Sequence, residues 1–218
     1  VFAGGWTLQA AEAVANGEGG LDVFEELTSL VDKSLVRVAE NVDDEPRFTM
    51  LETIREFALE CLAGDLDEAQ AMRRAHAQYF ADHAITAWDD LTVGVPRAVR
   101  WVRAEEANLR TTLAYLLEAN DVETSLRLVN SMSDYWIASG GQFTEARSWL
   151  DRALGQGANA TPAAQAWALC GLSVLAGFQG DWVAGRQAAT EGLALARVAG
   201  DPLLVALAAY AFSIVEDF

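Results

Sequence analysis

Lysine is almost missing from this chain: Lys33 is the only one, and the other 14 basic residues are arginines. A phosphate-binding P-loop needs glycine-rich sequence leading into Gly-Lys-Ser/Thr, so that backbone N–H groups wrap the phosphates and the lysine reaches them. Lys33 lies in Val31-Asp32-Lys33-Ser34-Leu35 with no glycine before it, which excludes ATP hydrolysis by that device within these residues. Cysteine is scarce as well. Cys61 and Cys170 stand half a chain apart, each inside an apolar helical pattern, and read as reduced, buried thiols rather than a disulfide. The only histidines, His76 and His83, are seven residues apart on one helix, about 10.5 Å along its axis. One metal cannot take both, and no cysteine pair lies nearby, so a structural zinc site is excluded. Four prolines and 17 glycines are too few for a disordered or fibrous chain. The longest apolar run, near residues 203–212, is too short to span a bilayer, and no basic lead-in marks a signal peptide. These absences predict a cytoplasmic chain that does not enter a membrane. Val1 is not a methionine and the last helical pattern has no closing cap, so we expect a piece of a longer protein.

What is present is apolar and acidic. Of the 218 residues 52% are hydrophobic, and the net charge is −17. Alanine and leucine dominate the apolar share, the composition of packed helices rather than sheets. Chemistry is hard to find. Glu105 and Glu106 are neighbours on a helix and point about 100° apart, so they do not form a facing carboxylate pair. Ser29, Ser34, Ser131, Ser133, Ser139 and Ser148 lack the glycines of a nucleophile elbow. We expect no enzyme here.

The pattern along the chain predicts a mainly α fold: a small winged-helix domain with one β-hairpin over residues 1–64, connecting helices over 65–120, and tetratricopeptide-like helical repeats forming an α-α superhelix over 121–218. Thr7 is the expected N-cap of a helix over 8–16, and Asp22 of a second over 23–31. Residues 35–39 and 47–50 read as strands around an acidic turn carrying Asp43, Asp44 and Glu45. A third helix over 51–63 is expected to bury Ile54, Phe57, Ala58 and Leu62. Residues 67–88 form a long amphipathic segment turning Met72, Ala75, Tyr79 and Phe80 inward, and Pro96 opens the next helix. Residues 136–147 then match 175–186 at an offset of 39, and Pro162 and Pro202 lie 40 apart, a helix-turn-helix repeat. Small residues such as Ala146, Gly171 and Gly185 would let paired helices approach, with Trp149, Trp167 and Trp182 between layers. Residues 1–64 hold four basic residues against 13 acidic ones. A DNA-binding wing presents arginine and lysine to phosphates, so charge predicts no direct DNA binding by this fragment.

Phe48-Thr49-Met50-Leu51-Glu52-Thr53-Ile54-Arg55-Glu56-Phe57-Ala58 resembles the signature that closes the winged helix of STAND-class NTPase switches, roughly aromatic-x-Met-His-Asp-x-x-Arg-x-x-Ala. Leu51 stands in place of that family's histidine and Glu52 in place of its aspartate. Residues 1–13, residues 30–56, and Trp101, Glu105 and Asn108-Leu109-Arg110 extend the likeness. The whole chain resembles large bacterial transcriptional regulators of the LuxR and SARP-like type, in which an NB-ARC-type NTPase module is followed by a winged helix and tetratricopeptide-like repeats.

That resemblance implies a non-catalytic regulatory and protein-interaction region in signal transduction. The winged helix would gate the NTPase module of the same polypeptide through Met50, Leu51, Glu52 and Arg55. The repeats would bind a protein or small-molecule inducer through Tyr135, Trp136, Phe143, Arg147, Trp182 and Arg186. No cofactor is implied within these residues, and ATP or ADP is expected for the full-length protein. Leucine has no donor for a phosphate, so Leu51 would not sense nucleotide as the histidine does. Two other readings stay open: a small-molecule sensor in which Trp136 or Trp182 stacks on a sugar ring, and a free-standing repeat scaffold.

Overall fold

The computed structural model describes residues 1–16, 20–42, 45–87, 96–139 and 142–216. They fall into two compact units: Val1–His83 with Gly94–Tyr115, and Ala84–Val93 with Leu116–Phe218.

The first unit begins with strand β1 (Trp6–Thr7), helices α1 (Leu8–Ala15) and α2 (Val23–Asp32), strands β2 (Val36–Val42) and β3 (Glu45–Met50), and helix α3 (Glu52–Leu62). Thr7 caps α1, its hydroxyl accepting from the Ala10 N–H at 3.1 Å. The Asp22 carboxylate takes the Glu25 N–H at 2.9 Å to start α2. Each cap satisfies one of the N–H groups that a helix start leaves without a partner. After α2 the chain reverses through Ser34, at φ 59°, and the Leu35 N–H closes back on the Leu30 carbonyl at 3.0 Å. β2 and β3 then pair antiparallel, with Val38 opposite Phe48 and Val36 opposite Met50. β1 adds a third strand on the other edge of β3, Trp6 opposite Phe48. Trp6, Ala10, Val14, Val23, Leu27, Val36 and Phe48 form the buried side of this small domain. The tip residues Asp43 and Asp44 lie outside the described residues.

Helix α3 departs from expectation. It buries none of its residues; Phe57 is 65% exposed, Ala58 and Cys61 are exposed, and Ile54 and Leu62 are half-buried. Its apolar stripe is there, as the sequence pattern requires, but it is only partly covered: Leu59 and Leu62 border a cavity shared with Phe2, Trp6 and Met72, and Phe57 stays outside. Cys61 is accordingly not the buried thiol its apolar neighbours predicted.

Helices α4 (Leu66–Thr86) and α5 (Pro96–Glu118) complete the unit as far as His83 and Tyr115. Phe80 is fully buried. It meets Phe2 edge-on, with ring centroids 6.2 Å apart, and Phe2 stacks on Trp6 at 5.0 Å.

The second unit is built from α6 (Val122–Ser139), α7 (Phe143–Gly155), a short turn at Gly157–Asn159, α8 (Pro162–Phe178), α9 (Trp182–Ala199) and α10 (Pro202–Glu216). α7 and α9 start 39 residues apart, and α8 and α10 start 40 apart. Thr161 and Asp181 cap α8 and α9 through their side chains. Gly185 allows a close approach: a methyl group there would lie 3.2 Å from both the Ser173 carbonyl and Val215. Ala166, Cys170, Ala196, Leu204, Ala208 and Ala211 form one buried cluster among α8, α9 and α10. Among the described residues no helix is long and apolar enough to cross a membrane.

Candidate functional site

The junction between β3 and α3 holds the four residues singled out for nucleotide contact. Leu51 is the N-cap residue of α3, in extended backbone, and its side chain caps nothing; it is 45% exposed. Glu52 and Arg55, one turn apart, form a two-pronged ion pair, with Arg55 Nε 3.0 Å from a Glu52 oxygen. Each holds the other charged: hydrogen bonding to Arg55 keeps the Glu52 carboxyl below its usual range, and Glu52 raises the Arg55 guanidinium. Met50 and Arg55 also line a cavity of about 260 Å³ together with Phe2, Trp6, Leu62 and Met72. The structure thus gathers Met50 and Arg55 at one hollow. A phosphate there would have to compete with Glu52 for the guanidinium.

A second polar cluster, deeper in the same unit, was not foreseen. Arg47, one of the four basic residues of 1–64, is 6% exposed and turned inward. It pairs with Glu105, itself 1% exposed, and donates to the Gly5 carbonyl at 2.8 Å. Asn108 Nδ2 donates to the other Glu105 oxygen at 2.7 Å and to Gly5 O at 3.0 Å. Its Oδ1 accepts from the Ala3 N–H at 2.9 Å and lies 3.3 Å from His76 Nε2. Burial lowers the His76 pKa from 6.5 to about 4, so its ring is neutral near pH 7. This network ties β3, α4, α5 and the segment before β1 together. The signal for it was the Glu105 and Asn108 spacing of one helical turn, which puts both on one face of α5.

The helical region scatters the residues picked for a partner face. Tyr135 and Trp136 are 4% and 0% exposed and belong to the core, because α6 is covered on that side; the expectation of an exposed contact there is corrected. Phe143 stacks on Phe178 with centroids 5.3 Å apart. Arg147 donates to Asp181 at 2.7 Å and to Gln179 at 3.1 Å, fastening α7 to the turn between α8 and α9. Arg186, its counterpart one repeat on, donates to the Val215 carbonyl at 3.4 Å. Both arginines tie one helical pair to the next. Trp182 is half-buried, against Gly177.

The elements before the hairpin carry a different kind of surface. α1 and α2 form a helix pair, and the outer side of α2 exposes Phe24, Glu25, Glu26 and Thr28. Lys33 and Arg37, at the end of α2 and the start of β2, are exposed as well. Residues 1–63 match the family of winged helix-turn-helix domains. The N-terminal domain is a winged helix-turn-helix.

The chain is also 35% identical over 155 residues to three proteins, from Mycobacterium bovis and from the CDC 1551 and H37Rv strains of Mycobacterium tuberculosis. Each is named as a candidate HTH-type transcriptional regulator. The alignment covers 70% of this chain and 17% of each relative, so the chain spans about a sixth of their length. No solved structure matches it. The domain and the relatives together support a transcriptional regulator.

This finding overturns the exclusion of DNA drawn from charge. A winged helix-turn-helix in a chain related to such regulators points to DNA binding. The error lay in averaging charge over the domain. Base edges are reached by three or four side chains near the start of one helix, and acidic and apolar groups read bases too: Glu accepts from cytosine N4, and an apolar side chain meets the thymine methyl.

Proposed function

We propose that this chain is the DNA-contacting and signal-receiving region of a bacterial transcriptional regulator. The winged helix-turn-helix of residues 1–63 carries the proposal. α2 enters the major groove, where Phe24, Glu25 and Thr28 face base edges, while Lys33 and Arg37 touch phosphate. Two phosphate contacts give weak non-specific binding with a shallow salt dependence, about −2 in log K against log salt. Specificity then rests on the base contacts. Selection from a pool of randomised duplexes tests this. A motif should be enriched by the native chain and lost with Glu25→Ala or Phe24→Ala. Failure to enrich any motif at low salt would overturn the proposal.

A second role is favoured by helix α3 and its N-cap, which leave Phe57 65% and Leu51 45% exposed. The winged helix gates an NTPase module elsewhere in the same polypeptide, with Arg55 and Glu52 at the contact and ATP or ADP bound in that module. The helical region takes the inducer, and the shift between states follows from its preference for one of them. No catalysis belongs to this stretch, and the protein works in the cytoplasm. In the full-length protein, Arg55→Ala should change the rate of ADP release; an unchanged rate removes the gating role.

A further inference from the structure

Among the second unit's described residues, one cavity combines apolar walls with a guanidinium and a side-chain amide. It has a volume of about 280 Å³ and lies where Ile85, the α6 residues Arg127, Asn130 and Ser131, Trp167 of α8 and Leu203 of α10 meet. Asn130 is 92% buried, yet its side-chain amide makes no hydrogen bond with any described residue. The amide borders the cavity, where water or a ligand can meet it. Ser131 differs: its hydroxyl is returned to the Arg127 carbonyl at 2.9 Å. Arg127 is exposed and makes no ion pair among the described residues. Glu123, the carboxylate one turn earlier on α6, is committed elsewhere, accepting from the Thr161 N–H at 2.8 Å and its hydroxyl at 2.9 Å.

Charge then selects the ligand. The chain has 32 acidic residues against 15 basic ones, and most of its surface repels an anion. This cavity is lined by a guanidinium and by no carboxylate. We infer that it binds a small organic carboxylate with an apolar body. The carboxylate takes paired N–H groups from Arg127 at the mouth and one from the buried Asn130 amide. The apolar body lies against Trp167, Ile85 and Leu203. The volume falls just below the range of drug-sized pockets, which limits the ligand to a single ring or a short chain. The inference deepens the reading of the helical region as the seat of the inducer and rests on it.

The test is thermal unfolding of the whole chain with benzoate, phenylacetate or hexanoate, against benzamide and matched sodium chloride. At ten times its Kd a bound carboxylate should raise Tm by about 3 to 6 °C. Benzamide and chloride should not, and Arg127→Gln, an exposed change that leaves the core intact, should abolish the rise. Asn130→Leu should do the same by removing the amide. The inference is overturned if none of the three acids shifts Tm, if benzamide matches benzoate, or if Arg127→Gln responds like the native chain. Duplex binding by the same preparation separates the two readings. Lost carboxylate response with DNA binding intact removes this cavity alone, whereas loss of DNA binding removes the regulator reading.

Discussion

Replacing Arg47 with methionine tests the buried network most sharply. The side chains of Arg47 and Glu105 are 8% and 2% exposed, so neither charge is compensated by water. Arg47→Met keeps an unbranched apolar stem and removes the guanidinium. Glu105 is left with a single donor, Asn108 Nδ2 at 2.7 Å, and the Gly5 carbonyl with the same amide at 3.0 Å. Stranding a buried charge in this way costs about 3–5 kcal/mol. Replacing both partners with apolar residues, Arg47→Met with Glu105→Leu, should cost clearly less, because no charge is then left behind. Urea unfolding gives the overall change, and an unchanged m value certifies that compactness is unaltered. Two compact units can unfold separately, so hydrogen exchange read peptide by peptide locates the effect. Protection should fall in β3, α4 and α5 and hold in α8 and α9. A single variant that loses less than about 1 kcal/mol, the scale of an exposed pair, would refute the reasoning. So would a double variant as damaged as the single.

Acid should unlock the same unit. Burial keeps His76 neutral down to a pKa of about 4 against 6.5 when exposed, so the unfolded chain binds the proton first. The stability this group supplies is complete above about pH 6.5 and is lost as the pH falls towards 4, about 3 kcal/mol in all. Urea melts across that window should show the slope, and His76→Gln should flatten it. Gly185→Ala places a methyl group 3.2 Å from the Ser173 carbonyl and Val215 and should cost about 1–3 kcal/mol by overpacking, measured as a lower Tm. Thiol labelling should separate the cysteines. Exposed Cys61 reacts in the native protein, while Cys170, its thiol pushed up to about 11 by burial, reacts only on unfolding.

Much of the fold was legible because local rules and tertiary packing agreed. Thr7, Asp22, Pro162 and Pro202 mark helix starts through chemistry confined to one turn, and all four stand where expected. The offset of 39 fixed the helical pairs of the second unit. β1 was not legible, since two residues show no alternation and its pairing with β3 is made across some 40 residues of chain. The periodicity of α3 was read correctly, but period tells which residues share a face and not whether anything covers it. Phe57 and Cys61 were misjudged for that reason, and Trp136 for the opposite one, its face being covered by a neighbouring layer. Arg47 shows the limit of counting charge. A residue counted among the cations of 1–64 points inward, and the acidic total says nothing of what α2 presents. The winged helix-turn-helix is recognisable in its helix, helix, hairpin, helix order, although the net acidity of residues 1–64 points away from a partner such as DNA.

The central claim is that the winged helix-turn-helix reads DNA through α2. The most direct measurement is fluorescence anisotropy of a selected duplex titrated with the chain at several salt concentrations. The account predicts saturable binding that is lost with Glu25→Ala, and a shallow salt slope near −2 that shrinks by about one unit with Arg37→Ala. Anisotropy that stays flat at low salt, or binding that ignores Glu25 and Phe24, would contradict it.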